Sequence, residues 1–86
     1  MGELRWNLQK SVELKRTRGV SFEEIIQSKL VAIKRHPVKI HQRLMLFDYK
    51  GYIWVVPCVV EHAEIFLKTL FPSRKYTKIY RTGGLP

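Results

Sequence analysis

Apolar residues recur with a helical period in the first part of the chain. Leu8 and Val12 lie four positions apart and Leu14 follows two further on, which predicts a first helix over residues 7–18. Gly19 follows directly, and glycine is favoured just beyond a helix because it adopts the left-handed conformation easily. The pattern therefore predicts one helix that ends at this glycine.

A capping pattern marks the start of a second helix. Ser21 is followed three residues later by Glu24, and Val20 is placed to pack against Ile25 as a hydrophobic staple. The second helix is therefore predicted to begin at Ser21 or Phe22. Its buried stripe is predicted to contain Phe22, Ile25, Ile26 and Leu30.

After Leu30 the apolar period falls toward two, and β-branched and aromatic residues dominate. Three or four strands are predicted, at residues 31–35, 43–49, 52–60 and 64–71. The loop at 36–41 separates the first two, and the turns at Lys50-Gly51 and 61–63 make the last three an antiparallel meander. Pro57 lacks a backbone donor, which predicts a bulge or an outward-facing edge in the third strand.

The chain closes with a predicted short helix rich in cations and tyrosines. Ser73 is placed as its N-cap after Pro72. The cations that share one helical face are Arg74, Lys78 and Arg81, and the tyrosines that pair at i and i+4 are Tyr76 and Tyr80. Two interpretations remain open: a solvated face that suits the helix dipole, or a site for a polyphosphate. Residues 82–86 are predicted to fray.

These elements predict one α+β domain over residues 1–86. Two N-terminal helices cover one face of a three- to four-stranded antiparallel sheet, and the short C-terminal helix follows. No apolar run approaches the roughly 20 residues of a membrane span, and the N-terminus lacks a signal peptide's apolar stretch. The chain is therefore expected to be soluble and cytoplasmic, without a membrane partner. Cys58 lies in an apolar run and is expected to be buried.

The net charge of the chain indicates what kind of partner it binds. Sixteen Lys and Arg residues stand against seven Asp and Glu residues, a net charge of +9 on 86 residues. Such a balance favours an anionic partner. A basic open face of the sheet beside the basic last helix would form a groove for nucleic acid.

Two segments resemble BrnT-type toxins. The stretch Trp6–Lys10 and the Gly-Val-Ser-Phe-Glu-Glu sequence within Arg18–Glu24 are similar to the opening of that family. The closing match consists of Ser73, Arg74, Lys75, Lys78 and Tyr80. The resemblance spans residues 6–80. Asn7 stands where the family commonly has an acidic residue, and Arg18 stands where it usually has His.

The resemblance implies a fold like that of the RelE superfamily of bacterial ribonuclease toxins. It also implies an RNA-cleaving toxin of a type II toxin–antitoxin pair, which acts on messenger RNA with or without the ribosome. A cognate antitoxin is the implied protein partner, in a hetero-oligomer with the toxin. No metal or cofactor is expected, because His36 and His41 are not spaced like zinc ligands.

RNA cleavage without metal needs a proton acceptor, a proton donor and cations for the developing charge on phosphorus. The predicted catalytic residues are Arg74, Lys78, His62 and Tyr80, and the predicted substrate-binding residues are Lys10, Lys15, Arg18, Lys75, Arg81 and Tyr76. Arg74 is assigned to phosphate and transition-state stabilisation. His36 and His41 remain alternatives for proton transfer, and the tyrosines remain alternatives as hydroxyl donors or stacking platforms.

A second class of function also fits the sequence. A non-catalytic basic module would hold RNA, DNA or an acidic partner protein through the same cations. Both classes predict that affinity falls steeply with salt. They differ in cleavage, since only the enzyme should lose activity while keeping most of its affinity when Arg74 is replaced by alanine.

Overall fold

The computed structural model describes residues 3–85. Its elements are β1 (Glu3–Trp6), α1 (Leu8–Arg18), α2 (Phe22–Ile25), β2 (Lys29–Arg35), β3 (Gln42–Tyr49), β4 (Tyr52–Glu61), β5 (Glu64–Leu67), β6 (Phe71–Pro72) and α3 (Arg74–Arg81). The strand order is β1-β5-β4-β3-β2, and β6 also pairs with β4. The α+β class is confirmed. The sheet is larger than predicted, with six strands in place of three or four. It is also mixed, because β1 runs parallel to β5 whereas the other pairs are antiparallel.

Strand β1 was not predicted. It pairs with β5 from Glu3 opposite Glu64 to Trp6 opposite Leu67, and the Glu3 N–H donates to the Ala63 carbonyl at 2.8 Å. Its four residues carry no turn signal of their own. A parallel pairing with a strand near the other end of the chain leaves no local trace in the sequence.

The second helix is shorter than predicted, although its start is confirmed. The Ser21 side chain accepts from the Glu24 N–H, and the Glu24 carboxylate accepts from the Ser21 N–H at 3.0 Å, which completes the capping box. Helix α2 ends after one turn at Ile25. Leu30, predicted on its buried stripe, instead lies in β2 opposite Phe47.

The predicted last strand divides into β5 and β6, and Pro57 lies opposite the gap. The Pro57 carbonyl accepts from the Lys68 N–H at 2.9 Å. In an antiparallel strand the N–H and C=O of one residue point to the same neighbouring strand. The side of Pro57 that lacks an N–H therefore also faces the gap between β5 and β6, where no strand partner needs it. The pairing of β3 with β4 therefore continues without a shift from Gln42–Val59 to Tyr49–Tyr52. Pro57 occupies a local edge, one of the two predicted outcomes.

The helices cover opposite faces of the sheet. Helices α1 and α2 pack on one face, and the core that they form with the sheet contains Leu14, Val20, Phe22, Ile25, Met45, Phe47, Val56, Cys58, Leu67 and Leu70. Helix α3 packs on the other face, where Leu46, Ile53 and Val55 contact Tyr76, Tyr80 and Leu85. The predicted burial of Cys58 is confirmed. Within residues 3–85 no helix is long and apolar enough to span a bilayer.

Helix α1 attaches mainly through one apolar and one polar residue. Leu14 and Ser11 are buried, whereas Leu8 and Val12 are each 70% exposed, so the predicted apolar stripe is wrong at those two positions. The Ser11 hydroxyl donates to the Glu23 carboxylate and accepts from the Phe22 N–H at 3.0 Å. These bonds join α1 to α2.

We predict that Glu23 makes stability depend on pH. The Ser11 hydroxyl, with smaller effects from the backbone and Trp6, holds the Glu23 pKa below its ordinary value of 4.5. The stabilisation is therefore complete above that value and is lost as the pH falls through the lower pKa of the folded state. Glu23→Gln should reduce the loss of unfolding free energy below about pH 4.5, measured by urea unfolding at several pH values.

The matched control is Glu13→Gln, which removes an exposed carboxylate on α1 whose side chain makes no hydrogen bond within the described residues. An unchanged acid profile in Glu23→Gln would show that the bonds of Glu23 do not contribute to folding.

Candidate functional site

Helix α3 is attached to the sheet through the backbone of Ile53. The Ser73 N–H donates to the Ile53 carbonyl at 2.9 Å, and the Ile53 N–H donates to Thr77 Oγ1 at 2.8 Å. The Thr77 hydroxyl donates in turn to the Ser73 carbonyl at 2.6 Å. Thr77 is buried, and β6 ends at Pro72. The Thr77 hydroxyl therefore accepts the hydrogen bond of the Ile53 N–H at the point where β6 no longer continues beside β4. The helix therefore begins in a fixed position.

One face of α3 packs on the sheet. The helix starts as predicted, because the Ser73 hydroxyl accepts from the Tyr76 N–H at 3.1 Å. The Tyr80 hydroxyl donates to Asp48 at 3.0 Å, and this bond raises the pKa of Tyr80, with burial adding a smaller effect. Tyr80 therefore stays protonated at neutral pH and ties α3 to β3.

A different face of α3 forms the α3 groove, a cavity of about 410 Å³. Its lining residues are Tyr52, Arg74, Thr77, Lys78, Arg81 and Thr82. The Arg81 guanidinium also donates to the Gly51 carbonyl at 3.3 Å, which places it over the β3–β4 turn. The cations predicted to share one helical face are thus brought together.

The charge of the α3 groove suits a phosphate. Among the described residues that line it, three are cations and none is a carboxylate or an imidazole. Arginine offers a planar fork of donors that matches two phosphate oxygens, whereas lysine acts as a compact charge. Lys75 lies outside this lining, with its Nζ 5.6 Å from the centre of the Tyr76 ring. The structure therefore separates Lys75 from the other cations of α3.

The predicted binding residues of α1 lie apart from the α3 groove. Lys15 Nζ contacts the Glu24 carboxylate at 2.9 Å and the Gly19 carbonyl at 3.3 Å. The Arg18 guanidinium donates to the Leu70 carbonyl. Both side chains hold α1 to its neighbours. Lys10 also lies on α1, which packs on the sheet face opposite α3.

The histidines lie at the far end of the sheet. His62 follows β4, whereas Tyr52 begins it, and a strand of 10 residues at about 3.3 Å each separates its two ends by roughly 30 Å. His36 and His41 flank the β2–β3 loop at the same far end, where the Val60 N–H donates to the His41 carbonyl at 3.3 Å. The structure therefore does not bring His62 together with Arg74, Lys78 and Tyr80.

The open half of the sheet is not the basic surface that the charge balance led us to expect. Glu3, Glu61 and Glu64 stand side by side across β1, β5 and β4 on the face that α3 partly covers. Arg5 contacts Glu3 at 3.3 Å and Glu64 at 3.8 Å. Acidic side chains thus offset the cations there, and the α3 groove provides the concentrated positive charge.

Sequence reasoning missed Tyr52 and Thr77 as residues of the groove. Thr77 carried a partial signal, since a polar residue four positions after Ser73 lies between the cationic and the aromatic faces of the helix. Tyr52 carried no such signal. Its role depends on where α3 packs against the β3–β4 turn, which helical spacing alone does not specify.

Comparisons with known proteins define the class of the fold. Neither the models of known protein families nor the curated proteins give a match to this sequence. Among solved structures, the fold is similar to that of a ribonuclease toxin. One solved structure that is similar to this chain is the crystal structure of the Brucella abortus ribonuclease toxin BrnT, with a TM-score of 0.57 and 14% sequence identity, covering 85% of this chain and 97% of that one. The resemblance to BrnT-type toxins is thus confirmed at the level of the fold.

We predict that the Thr77 hydroxyl contributes measurably to stability. Thr77→Val keeps the shape of the side chain but leaves the buried Ile53 N–H without a partner, at a cost of about 1–3 kcal/mol in the free energy of unfolding. Thr77→Ser, which keeps the hydroxyl, is the control and should lose less. Urea unfolding of the three proteins measures the difference, and equal losses in both variants would contradict the assigned hydrogen bond.

Proposed function

We propose that this chain is the toxin of a type II toxin–antitoxin pair and a metal-independent endoribonuclease that cuts messenger RNA. The observation that carries the proposal is the α3 groove, where Arg74, Lys78 and Arg81 converge without a carboxylate among the described lining residues. The shared fold with a ribonuclease toxin supports the same class of activity. In this account the substrate is RNA, bound through its phosphates.

In the proposed reaction the 2′-hydroxyl of a nucleotide attacks the adjacent phosphorus. The bond between the 2′-oxygen and phosphorus forms, the bond to the 5′-oxygen breaks, and a 2′,3′-cyclic phosphate remains. Arg74 binds the phosphate oxygens and stabilises the negative charge that develops on them. Lys78 gives a proton to the leaving 5′-oxygen, and water accepts the proton of the 2′-hydroxyl. Tyr80 acts by holding α3 against Asp48.

A second candidate function is a non-catalytic RNA-binding module. It is favoured by one observation, that no imidazole or carboxylate appears among the described residues lining the α3 groove. General acid–base catalysis most often uses these groups. The two candidates predict the same phosphate contacts and differ in whether the bound RNA is cut.

The proposal includes a cognate antitoxin and a cytoplasmic site of action. A chain with a net charge of +9 attracts nucleic acid at many positions, and an acidic partner over the α3 groove would silence that attraction. The toxin would then act as part of a hetero-oligomer, and the RNA would be cut free or on translating ribosomes after the antitoxin is removed.

The proposed enzyme should cleave a labelled single-stranded RNA in EDTA and leave 2′,3′-cyclic phosphate ends. Arg74→Ala should slow cleavage by about 100- to 1,000-fold, because one preorganised donor to the transition state is lost. Lys75→Ala is the matched control, since it removes the same charge from a neighbouring position outside the groove. Similar losses in both variants would contradict the assigned site. Binding without cleavage, on free RNA and on translating ribosomes, would favour the non-catalytic module.

Salt dependence tests the phosphate contacts apart from cleavage. Each phosphate neutralised on a single strand contributes about 0.7 to the slope of log affinity against log salt concentration. Lys78→Ala should therefore lower the slope by about 0.7, measured by fluorescence anisotropy with single-stranded RNA. Lys75→Ala should keep the wild-type slope. If the two variants change the slope equally, RNA is attracted by the overall positive charge of α3, and the proposed contact between Lys78 and a phosphate in the groove is wrong.

A further inference from the structure

The β2–β3 loop holds two aliphatic side chains in solvent. Val38 and Ile40 are 80% and 79% exposed, and Lys39, which lies between them, is also exposed. Single exposed apolar residues are common on protein surfaces, but two at one loop tip form an apolar patch that gains from leaving water. The loop precedes the first residue of β3, whereas the α3 groove lies beside the turn that follows its last residue.

Polar contacts hold the loop in one shape. His36 Nδ1 accepts from the N–H of Val38 at 3.1 Å and from the N–H of Lys39 at 3.0 Å. The Arg43 guanidinium donates to the Ile40 carbonyl at 3.0 Å. These bonds engage the backbone of the tip, so its three side chains stay exposed. A surface that is already held in its binding shape loses less entropy when it associates.

A cavity opens at the same end of the sheet, beside the β4–β5 turn. Its volume is about 400 Å³, and its lining residues are Val59, Glu61, His62, Glu64 and Phe66. Strand alternation agrees with this lining. Val59 pairs with Phe66 and Glu61 pairs with Glu64, so these four side chains share one face of the sheet. We call this cavity the β4–β5 pocket.

The β4–β5 pocket combines apolar and acidic side chains. Phe66 is 43% exposed, although β5 lies between β1 and β4 within the sheet. Glu61 and Glu64 lie directly opposite each other, and like charges in that position destabilise a strand pair. Arg5 lies 3.8 Å from Glu64, whereas Glu61 makes no ion pair within residues 3–85. The pocket therefore suits an apolar side chain that is accompanied by a cation.

The tip of the β2–β3 loop has the composition that this pocket requires, since Val38–Ile40 reads aliphatic, cation, aliphatic. In one molecule the loop and the pocket are neighbours, because Gln42, which follows the loop, pairs with Val59 of the pocket. Complementary surfaces at the same end of a molecule can meet those of a second copy about a twofold axis. Each loop then enters the pocket of the other molecule.

The net charge of +9 does not prevent such a contact. The cations of the α3 groove lie near the start of β4 and the pocket lies near its end, and 10 residues of strand separate them by roughly 30 Å. Exposed charges farther apart than about 8 Å are largely screened at physiological ionic strength. Beside the pocket, Glu3 adds a third carboxylate next to Glu64. The charge that Lys39 meets there is therefore negative.

We propose that the chain forms a twofold-symmetric dimer in which the β2–β3 loop of each molecule occupies the β4–β5 pocket of the other. Val38 and Ile40 cover Phe66. Lys39 contacts Glu61. Two small contacts made at once reinforce each other, because the second forms within a complex that already exists. The dimer requires neither RNA binding nor cleavage in the α3 groove, so it goes beyond the proposed function.

Sedimentation equilibrium of the full chain measures the association. The wild type should form dimers with a dissociation constant below about 1 mM. Ile40→Ser should raise that constant at least about tenfold, because it removes an apolar anchor of the contact. Val12→Ser is the matched control, since it removes an aliphatic side chain that is 70% exposed on α1, and it should leave the constant unchanged.

An exchange of charges tests which parts of the two molecules meet. Lys39→Glu alone and Glu61→Lys alone should each raise the dissociation constant about tenfold or more, because like charges then meet at both contacts. A mixture of the two variants should recover the dimer, since opposite charges face each other at both contacts of the mixed pair. Lys75→Glu makes the same change of charge on α3 and should keep the wild-type constant.

Three results would overturn the inference. The first is a wild type that stays monomeric up to about 1 mM, where a dissociation constant of that size would still be detected. The second is an equal loss of association in Ile40→Ser and Val12→Ser. The third is a mixture of the two charge variants that does not recover the dimer. Recovery on mixing cannot come from a misfolded variant, so this last measurement decides the matter even if one substitution impairs folding.

Discussion

The hydrogen-bonded junction between Ile53 and helix α3 is the constraint on which the proposed site depends. Ile53 lies in β4 just before the residues that pair with β6, and Ser73 and Thr77 take up its backbone carbonyl and N–H. A buried strand donor left unpaired is costly, so this contact fixes both the start of α3 and its rotation. With the rotation fixed, the tyrosines of α3 face the sheet and Arg74 faces the groove.

The exposed position of the α3 cations explains how three positive charges can lie close together. Residues four apart on a helix are separated by about 6 Å along its axis, and two exposed unit charges at that distance repel by about 0.7 kcal/mol in water. Folding tolerates this cost because Arg74, Lys78 and Arg81 remain exposed. A bound phosphate removes the repulsion and adds attraction, so the groove is organised for an anion before the anion arrives.

Local signals in the sequence were sufficient for some elements and insufficient for others. The capping box at Ser21 and the N-cap at Ser73 depend on neighbouring residues, and both are confirmed. Strand β1 and the division of β5 from β6 depend on long-range pairing, so periodicity could not predict them. The cationic face of α3 follows from helical spacing, whereas Tyr52 joins it through tertiary packing. His62 was a reasonable candidate by residue type, but strand length places it at the other end of the sheet.

The central claim, that the α3 groove is where this protein binds RNA, is tested most directly by mapping the contact surface. The measurement is a titration of isotopically labelled protein with a short single-stranded RNA, followed by NMR of its backbone amides. The account predicts that the largest shifts cluster at the β3–β4 turn and along Arg74–Arg81. Shifts centred instead on the β2–β3 loop or around His62 would contradict it.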